Sequence, residues 1–175
     1  MCSSDLDPTE TMILADRVVV LDQGVVQQIG RPLEVYDKPS NRLVAGFFGW
    51  PSMNLLDGVL TQHDESLSLK CGEVTLPMPE AVKGAWQAYT GKAVTLGIRP
   101  QHLRLVEEGN NGLLMDVSLV EPLGSTTLVT VQQGALQLTV QCDGRQTMSE
   151  GQKIRVEMDM NRVHLFDRGT GQALV

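Results

Sequence analysis

Few side chains in this 175-residue sequence stand at spacings that support chemistry. His63, His102 and His164 are far apart, and none has a second His or Cys at metal-ligand spacing. Cys2, Cys71 and Cys142 form no CxxC pair, which fits neither a zinc site nor a disulfide framework and reads as thiols of a reducing cytoplasm. No Ser/His/Asp or Cys/His set is legible, and Glu10 and Asp16 fall on different faces of a helix that ends before Asp16, so they are no acid/base pair. No GxxxxGK[ST] phosphate loop occurs, and the loops at Gly84 and at Gly109–Gly112 lack the lysine and hydroxyl that would hold phosphate and Mg²⁺. Two polar corners remain. Arg99-Pro100-Gln101-His102 follows a strand-like run and is either a turn with Pro100 fixing φ or a corner facing a ligand or partner. Glu121-Pro122-Leu123-Gly124-Ser125-Thr126 is a second turn rich in hydroxyls.

Composition narrows the classes of partner. With 14 basic and 21 acidic residues the formal net charge is −7, and only 4% of residues are aromatic. A phosphate-backbone binder needs a positive face with stacking rings, so nucleic acid is disfavoured. An apolar content of 42% with 20% charge is that of a globular chain that buries a real core. No apolar run reaches the ~20 residues of a membrane span, and the first residues lack the basic head and apolar core of a secretory signal.

The elements that must position these corners follow from periodicity. Asp7 is a good N-cap and Pro8 suits a first helical turn, which predicts a short helix over 9–15 with Met12 and Ile13 inward. Arg17 to Leu21 reads as a buried strand, Asp22-Gln23-Gly24 as a turn, and Val25 to Ile29 as the returning strand. Pro32 opens a short helix, Asn41 caps another, and Trp50-Pro51-Ser52-Met53-Asn54 reads as a hinge packed by Phe47, Phe48 and Trp50. From Leu55 the texture changes to short strands at 55–61, 66–71, 73–76, 93–98, 113–122, 126–132, 135–141, 152–158 and 162–166, the spacing of a small all-β barrel or sandwich. Residues 79–89 read as weakly helical or a long loop. The division predicted is 1–50 and 51–175.

The phrases Leu14-Ala15-Asp16-Arg17-Val18-Val19-Val20-Leu21-Asp22-Gln23-Gly24, Gln28-Ile29-Gly30-Arg31-Pro32-Leu33-Glu34-Val35-Tyr36-Asp37-Lys38-Pro39 and Val44-Ala45-Gly46-Phe47-Phe48-Gly49, followed by Met53-Asn54, occur in that order. Downstream stand Leu96-Gly97-Ile98-Arg99-Pro100-Gln101-His102-Leu103, Val120-Glu121-Pro122-Leu123-Gly124 and His164-Leu165-Phe166-Asp167. Together they resemble the carbohydrate-importer class of ABC transporter ATP-binding subunits, with sn-glycerol-3-phosphate importers the nearest likeness and maltose-type importers close by. The resemblance implies a mainly β fold: an OB-type (TOBE) β-barrel regulatory domain preceded by a short α/β remnant of the nucleotide-binding domain.

The resemblance also implies a parent that uses ATP and Mg²⁺ to drive solute import at the cytoplasmic face of a bacterial inner membrane. Its partners would be a second copy of the ATP-binding subunit, the membrane subunits and regulatory proteins. The departures set expectations for this chain. Leu6 occupies the place of the family's switch histidine, and leucine can neither donate nor accept a hydrogen bond. Asp7 matches the aspartate that follows. The phosphate loop, signature motif and Walker-B carboxylate are missing and Met1 to Asp5 does not look like family sequence, so a truncated product or artificial junction, inactive as an ATPase and with no cofactor of its own, is expected. Strands next to the missing parallel sheet should be apolar on both faces and leave a sticky end. The ligand or partner loop expected is Arg99, Pro100, His102, Glu121, Gly124, Ser125 and Thr126. Because related barrels bind oxyanions at subunit junctions, a free-standing oxyanion module with a nest at Ser125, Thr126 and Thr127 is the alternative, against ordinary turn chemistry.

Overall fold

The computed structural model describes residues 8–64, 66–106 and 112–174. The expectations for Leu6 and for the Asp7 cap lie outside the described residues. Helix α1 (Pro8–Leu14) leads to strands β1 (Val18–Asp22) and β2 (Val25–Gly30). Gln23 and Gly24 both adopt positive φ, 47° and 80°, the backbone that closes a two-residue antiparallel hairpin without splaying its strands. β1 is not apolar-buried on both faces. Val18 and Val20 are buried while Val19 and Leu21 are exposed, because β1 pairs only with β2 and a two-stranded ribbon has one face to bury. Ile13, expected inward, is 78% exposed.

Pro32 starts α2 (Pro32–Asp37), where its missing N–H is no loss. The Asn41 side chain accepts a 2.9 Å bond from the Val44 amide and so caps α3 (Arg42–Phe47). Val35, Val44 and Phe48 from this pair of helices bury Val18 and Val20 of the hairpin in a small core of their own. The aromatic hinge is built otherwise than expected: Phe48 is buried, but Phe47 and Trp50 stand 63% and 62% exposed. Phe47 is the last residue of α3 and Phe48 its extended C-cap, so the chain changes direction between them and Phe48 alone joins the core with Val18 and Val20.

Twelve strands in all occur among the described residues. After the hairpin come β3 (Asn54–His63), β4 (Ser66–Cys71), β5 (Val74–Pro77), α4 (Glu80–Trp86) with a 3₁₀ turn at Gln87–Tyr89, and β6 (Ala93–Ile98). A second 3₁₀ turn, Pro100–His102, leads into β7 (Leu103–Val106). Then follow β8 (Leu113–Pro122), β9 (Thr126–Gln133), β10 (Leu136–Asp143), β11 (Lys153–Met158) and β12 (Val163–Asp167). β7 has no counterpart in the sequence reading. Its four residues follow a proline turn directly, and only pairing with β11 makes them a strand.

The strands form two antiparallel five-stranded sheets, in the orders β12-β6-β3-β4-β5 and β10-β9-β8-β11-β7. In the second, the edge strands β7 and β10 approach one another, so the sheet curls toward a barrel. β3 alternates strictly, with Leu56 and Leu60 inward and Leu55, Asp57 and Val59 outward. Gly58 lies on the inward side of β3, where a Cβ would sit 2.7 Å from the Lys70 carbonyl. Leu56, Leu60, Leu69, Leu96 and Ile98 of one sheet share a continuous core with Met115, Val117, Val129, Val131, Leu138, Val140 and Val156 of the other.

Two polar devices hold the layers. Asn54 reaches across from β3, donating to the Thr139 carbonyl at 2.9 Å and accepting from the Thr139 amide at 2.7 Å. The chain's last described residues sew the helices to the first sheet: Arg42 N–H donates to Gly171 O at 2.8 Å and Ala173 N–H to Ser40 O at 2.9 Å.

Candidate functional site

β6 carries a buried apolar run that ends at Ile98, so the next side chain, Arg99, begins inside the protein. It stays there. Arg99 is 1% exposed and is the largest fully buried side chain among the described residues. Its Nη2 donates to Tyr36 O at 2.9 Å and its Nη1 to Ala45 O at 3.2 Å. Tyr36 belongs to the last turn of α2 and Ala45 to the end of α3, where carbonyls have no partner within the helix. The guanidinium therefore closes two short helices at once. Its Cζ lies 3.9 Å from the centroid of the Tyr36 ring, in cation–π contact. The Tyr36 hydroxyl accepts from Gln101 Nε2 at 2.6 Å, which ties the turn after β6 to the same ring.

Gly49 completes the cradle. At φ 117° it occupies a backbone region closed to most L-residues, and a Cβ there would meet Tyr36 Cε2 at 2.5 Å and Arg99 Nη1 at 2.9 Å. No described carboxylate lies within ion-pair distance of Arg99, and its Nε has no hydrogen-bond partner. Burial accordingly holds the guanidinium below its ordinary range, against the opposing pull of Tyr36 and Asp37.

The remaining predicted residues separate into distinct surroundings. Pro100 is buried under the turn, and the His102 amide donates to Arg99 O at 2.9 Å. His102 Nδ1 is buried without a partner. Burial, then the positive Arg162, keeps the His102 imidazole below its usual range, and burial followed by Arg99 and His102 does the same to His164. Both rings are therefore neutral at pH 7. Glu121, Gly124, Ser125 and Thr126 belong to the β8–β9 hairpin. There Leu123 N–H donates to Thr126 O, Gly144 N–H to Ser125 O, and the Thr127 hydroxyl to Gly144 O. No described side-chain hydrogen bond joins this hairpin to the Arg99 corner.

Three open grooves lie elsewhere among the described residues, one of them, of about 420 Å³, beside Leu105, Met148 and Arg155. Another, of about 970 Å³, is bordered by Met12, Arg17, Ile29 and Arg31, and one of about 750 Å³ by Asp57, Cys71, Glu73 and Gln137; none is lined by the predicted residues. The partners of Arg99 were missed by sequence reasoning. Tyr36, Ala45 and Gly49 read as helix and hinge residues, and the bond to Tyr36 spans 63 residues of chain, beyond the reach of local pattern.

Comparison with known proteins follows this architecture. The model of the MalK OB fold domain matches residues 49–103, and that of the TOBE domain matches residues 96–166. Over 166 residues, 95% of the chain, it is 39% identical to the sn-glycerol-3-phosphate import ATP-binding protein UgpC of Salmonella paratyphi A. Over the same length it is 37% identical to UgpC of Escherichia coli K12. The chain spans 45% of the length of these relatives. Among solved structures, that of the cytoplasmic molybdate-binding protein ModG with molybdate bound superposes with a TM-score of 0.50 at 17% identity, covering 64% of this chain and 94% of that one, which shows a shared fold. With both domain models matched in tandem and the identity running through the hairpin and helices ahead of them, the chain belongs to the family of ABC-importer ATP-binding subunits and corresponds to their C-terminal OB/TOBE part.

Proposed function

We propose that this chain supplies the regulatory part of the ATP-binding subunit of an importer for sn-glycerol-3-phosphate or a related sugar solute. The observation that carries the reading is 39% identity over 95% of the chain to a subunit of that name. In the whole protein, ATP and Mg²⁺ would be held by residues outside this sequence, which contains no glycine-rich phosphate loop. The partners would be a second ATP-binding subunit, the membrane subunits and regulatory proteins at the cytoplasmic face of the inner membrane. No described helix is long and apolar enough to cross a membrane. The separate small core of Val18, Val20, Val35, Val44 and Phe48 supports a division near residue 50 between a nucleotide-domain end and the β unit of 51–175.

The test is a chimera in which residues 9–175 replace the matching part of the Escherichia coli subunit. Import of sn-glycerol-3-phosphate by cells that lack the native subunit is the expected outcome. A chimera that accumulates and docks on the membrane subunits, yet neither hydrolyses ATP nor imports, overturns the reading. The oxyanion alternative draws on ModG, whose structure carries molybdate. In this chain, Leu123 N–H, Gly144 N–H and the Thr127 hydroxyl at the β8–β9 hairpin already bond within the protein. Calorimetry with molybdate, sulfate and phosphate is expected to give no heat of binding.

A further inference from the structure

We infer that Arg99 is the coupling residue between the hairpin-and-helix unit (18–48) and the β unit, so that its loss detaches the first from the second and leaves the second folded. Three features carry the inference, and none depends on what the whole protein transports. First, the guanidinium is rooted in the β unit at the end of β6, whereas its two hydrogen-bond acceptors, Tyr36 O and Ala45 O, both belong to the helices. One side chain thus completes the open ends of two helices that it does not belong to. Second, the site is poor as a source of stability. A buried cation without a carboxylate, with Nε unpartnered, is offset only by two carbonyls and one aromatic face. An apolar side chain of equal volume would pack there without desolvating a charge, but could not address two carbonyls and a ring in fixed directions. Third, the main cores on the two sides are separate, and the apolar contact that crosses between them is the small cluster of Ala45 with Met53, Phe166 and Ala173, which touches α3 but not α2. The further polar fastenings are the tail, which bonds Ser40 and Arg42 through Ala173 and Gly171, and the Gln101 bond to the Tyr36 hydroxyl; neither reaches the Tyr36 and Ala45 carbonyls that Arg99 holds.

Hydrogen exchange read by mass spectrometry on the 175-residue chain tests this. Arg99→Gln is expected to speed exchange of peptides covering 31–38 and 44–48 by about tenfold or more, with β3 and β6 unchanged. Arg99→Lys, which keeps the charge but cannot reach both carbonyls, should give the same local signature. Gly49→Ala should reproduce it without altering the arginine, since its new methyl would displace the Tyr36 ring and the guanidinium. Tyr36→Phe, which removes only the hydroxyl bonded to Gln101, should leave exchange near the native rate. Unchanged exchange at 31–48 in both arginine variants overturns the inference. So does acceleration spread evenly over 31–48, β3 and β6, or loss of the whole fold, because Arg99 would then be an ordinary core residue. None of these outcomes bears on import by the chimera, which is measured separately.

Discussion

At the scale of single residues, the buried thiol and imidazoles report the local environment most directly. Cys71 is 7% exposed, and burial with the nearby Asp57 carboxylate pushes its pKa up to about 11. At pH 8 the thiolate population is about a hundredfold smaller than for an ordinary cysteine, so alkylation of Cys71 in the folded chain should be slower than in urea by at least that factor. Timed labelling with peptide mapping checks it, and equal rates would mean that the pocket around Cys71 is open to water. His102 and His164 make a different prediction. Both are held below the ordinary 6.5 by burial and neighbouring positive charge. Between pH 6.5 and the folded values, the unfolded chain binds more protons than the native one, so stability rises with pH through that window. The melting temperature should fall as the pH is lowered from about 7 to about 5, and His164→Gln should flatten that slope. A slope unchanged in His164→Gln would show that other groups set it.

At the scale of elements, each strand is legible where its pattern is local and obscure where its partner makes it. β4, β6 and β8 fall at the residues that alternation and turn chemistry point to. β7 is invisible until β11 lies beside it. The same logic isolates the join between the sheets. Asn54 ends a buried pattern with a polar side chain, and its two bonds to Thr139 satisfy an amide and a carbonyl of the edge strand β10. Asn54→Leu leaves both backbone groups without partners and should lower stability by about 2–3 kcal/mol. Urea unfolding with an unchanged m-value would confirm a loss of that size. A change below about 0.5 kcal/mol, the range of ordinary surface substitutions, would mean that water replaces the side chain.

At the scale of the whole molecule, the two sheets and their shared core form the larger body, and the hairpin with its helices is carried at one side. The hairpin's outer face presents the cross-strand pairs Val19 with Ile29 and Leu21 with Val26, each residue between 48% and 60% exposed. An apolar face of this kind favours association through uncovered surface and strand edges. The 175-residue chain should therefore self-associate with rising concentration. The double variant Val26→Lys, Ile29→Lys should reduce that association without shifting the melting temperature, because neither side chain is in a core. Light scattering on both proteins decides it, and identical masses across the concentration range would place any association elsewhere.

What the sequence determined by itself was whatever depends on neighbours along the chain. The hairpin turn at Gln23-Gly24, the Asn41 cap, the proline-opened helix and most of the alternating strands follow from backbone sterics and a period of two or 3.6. The ordered motifs also made the family legible, since they are runs of consecutive residues. Tertiary structure alone decided which faces are covered and where the polar corner points. Phe47 and Trp50 were candidates for burial, and the folded chain leaves both outward while Phe48 takes the place in the core. Arg99 was a candidate for a surface loop until β6 carried it inward onto Tyr36 O, 63 residues earlier in the chain. A guanidinium's partners are chosen by distance in space, and a sequence records distance only along the chain.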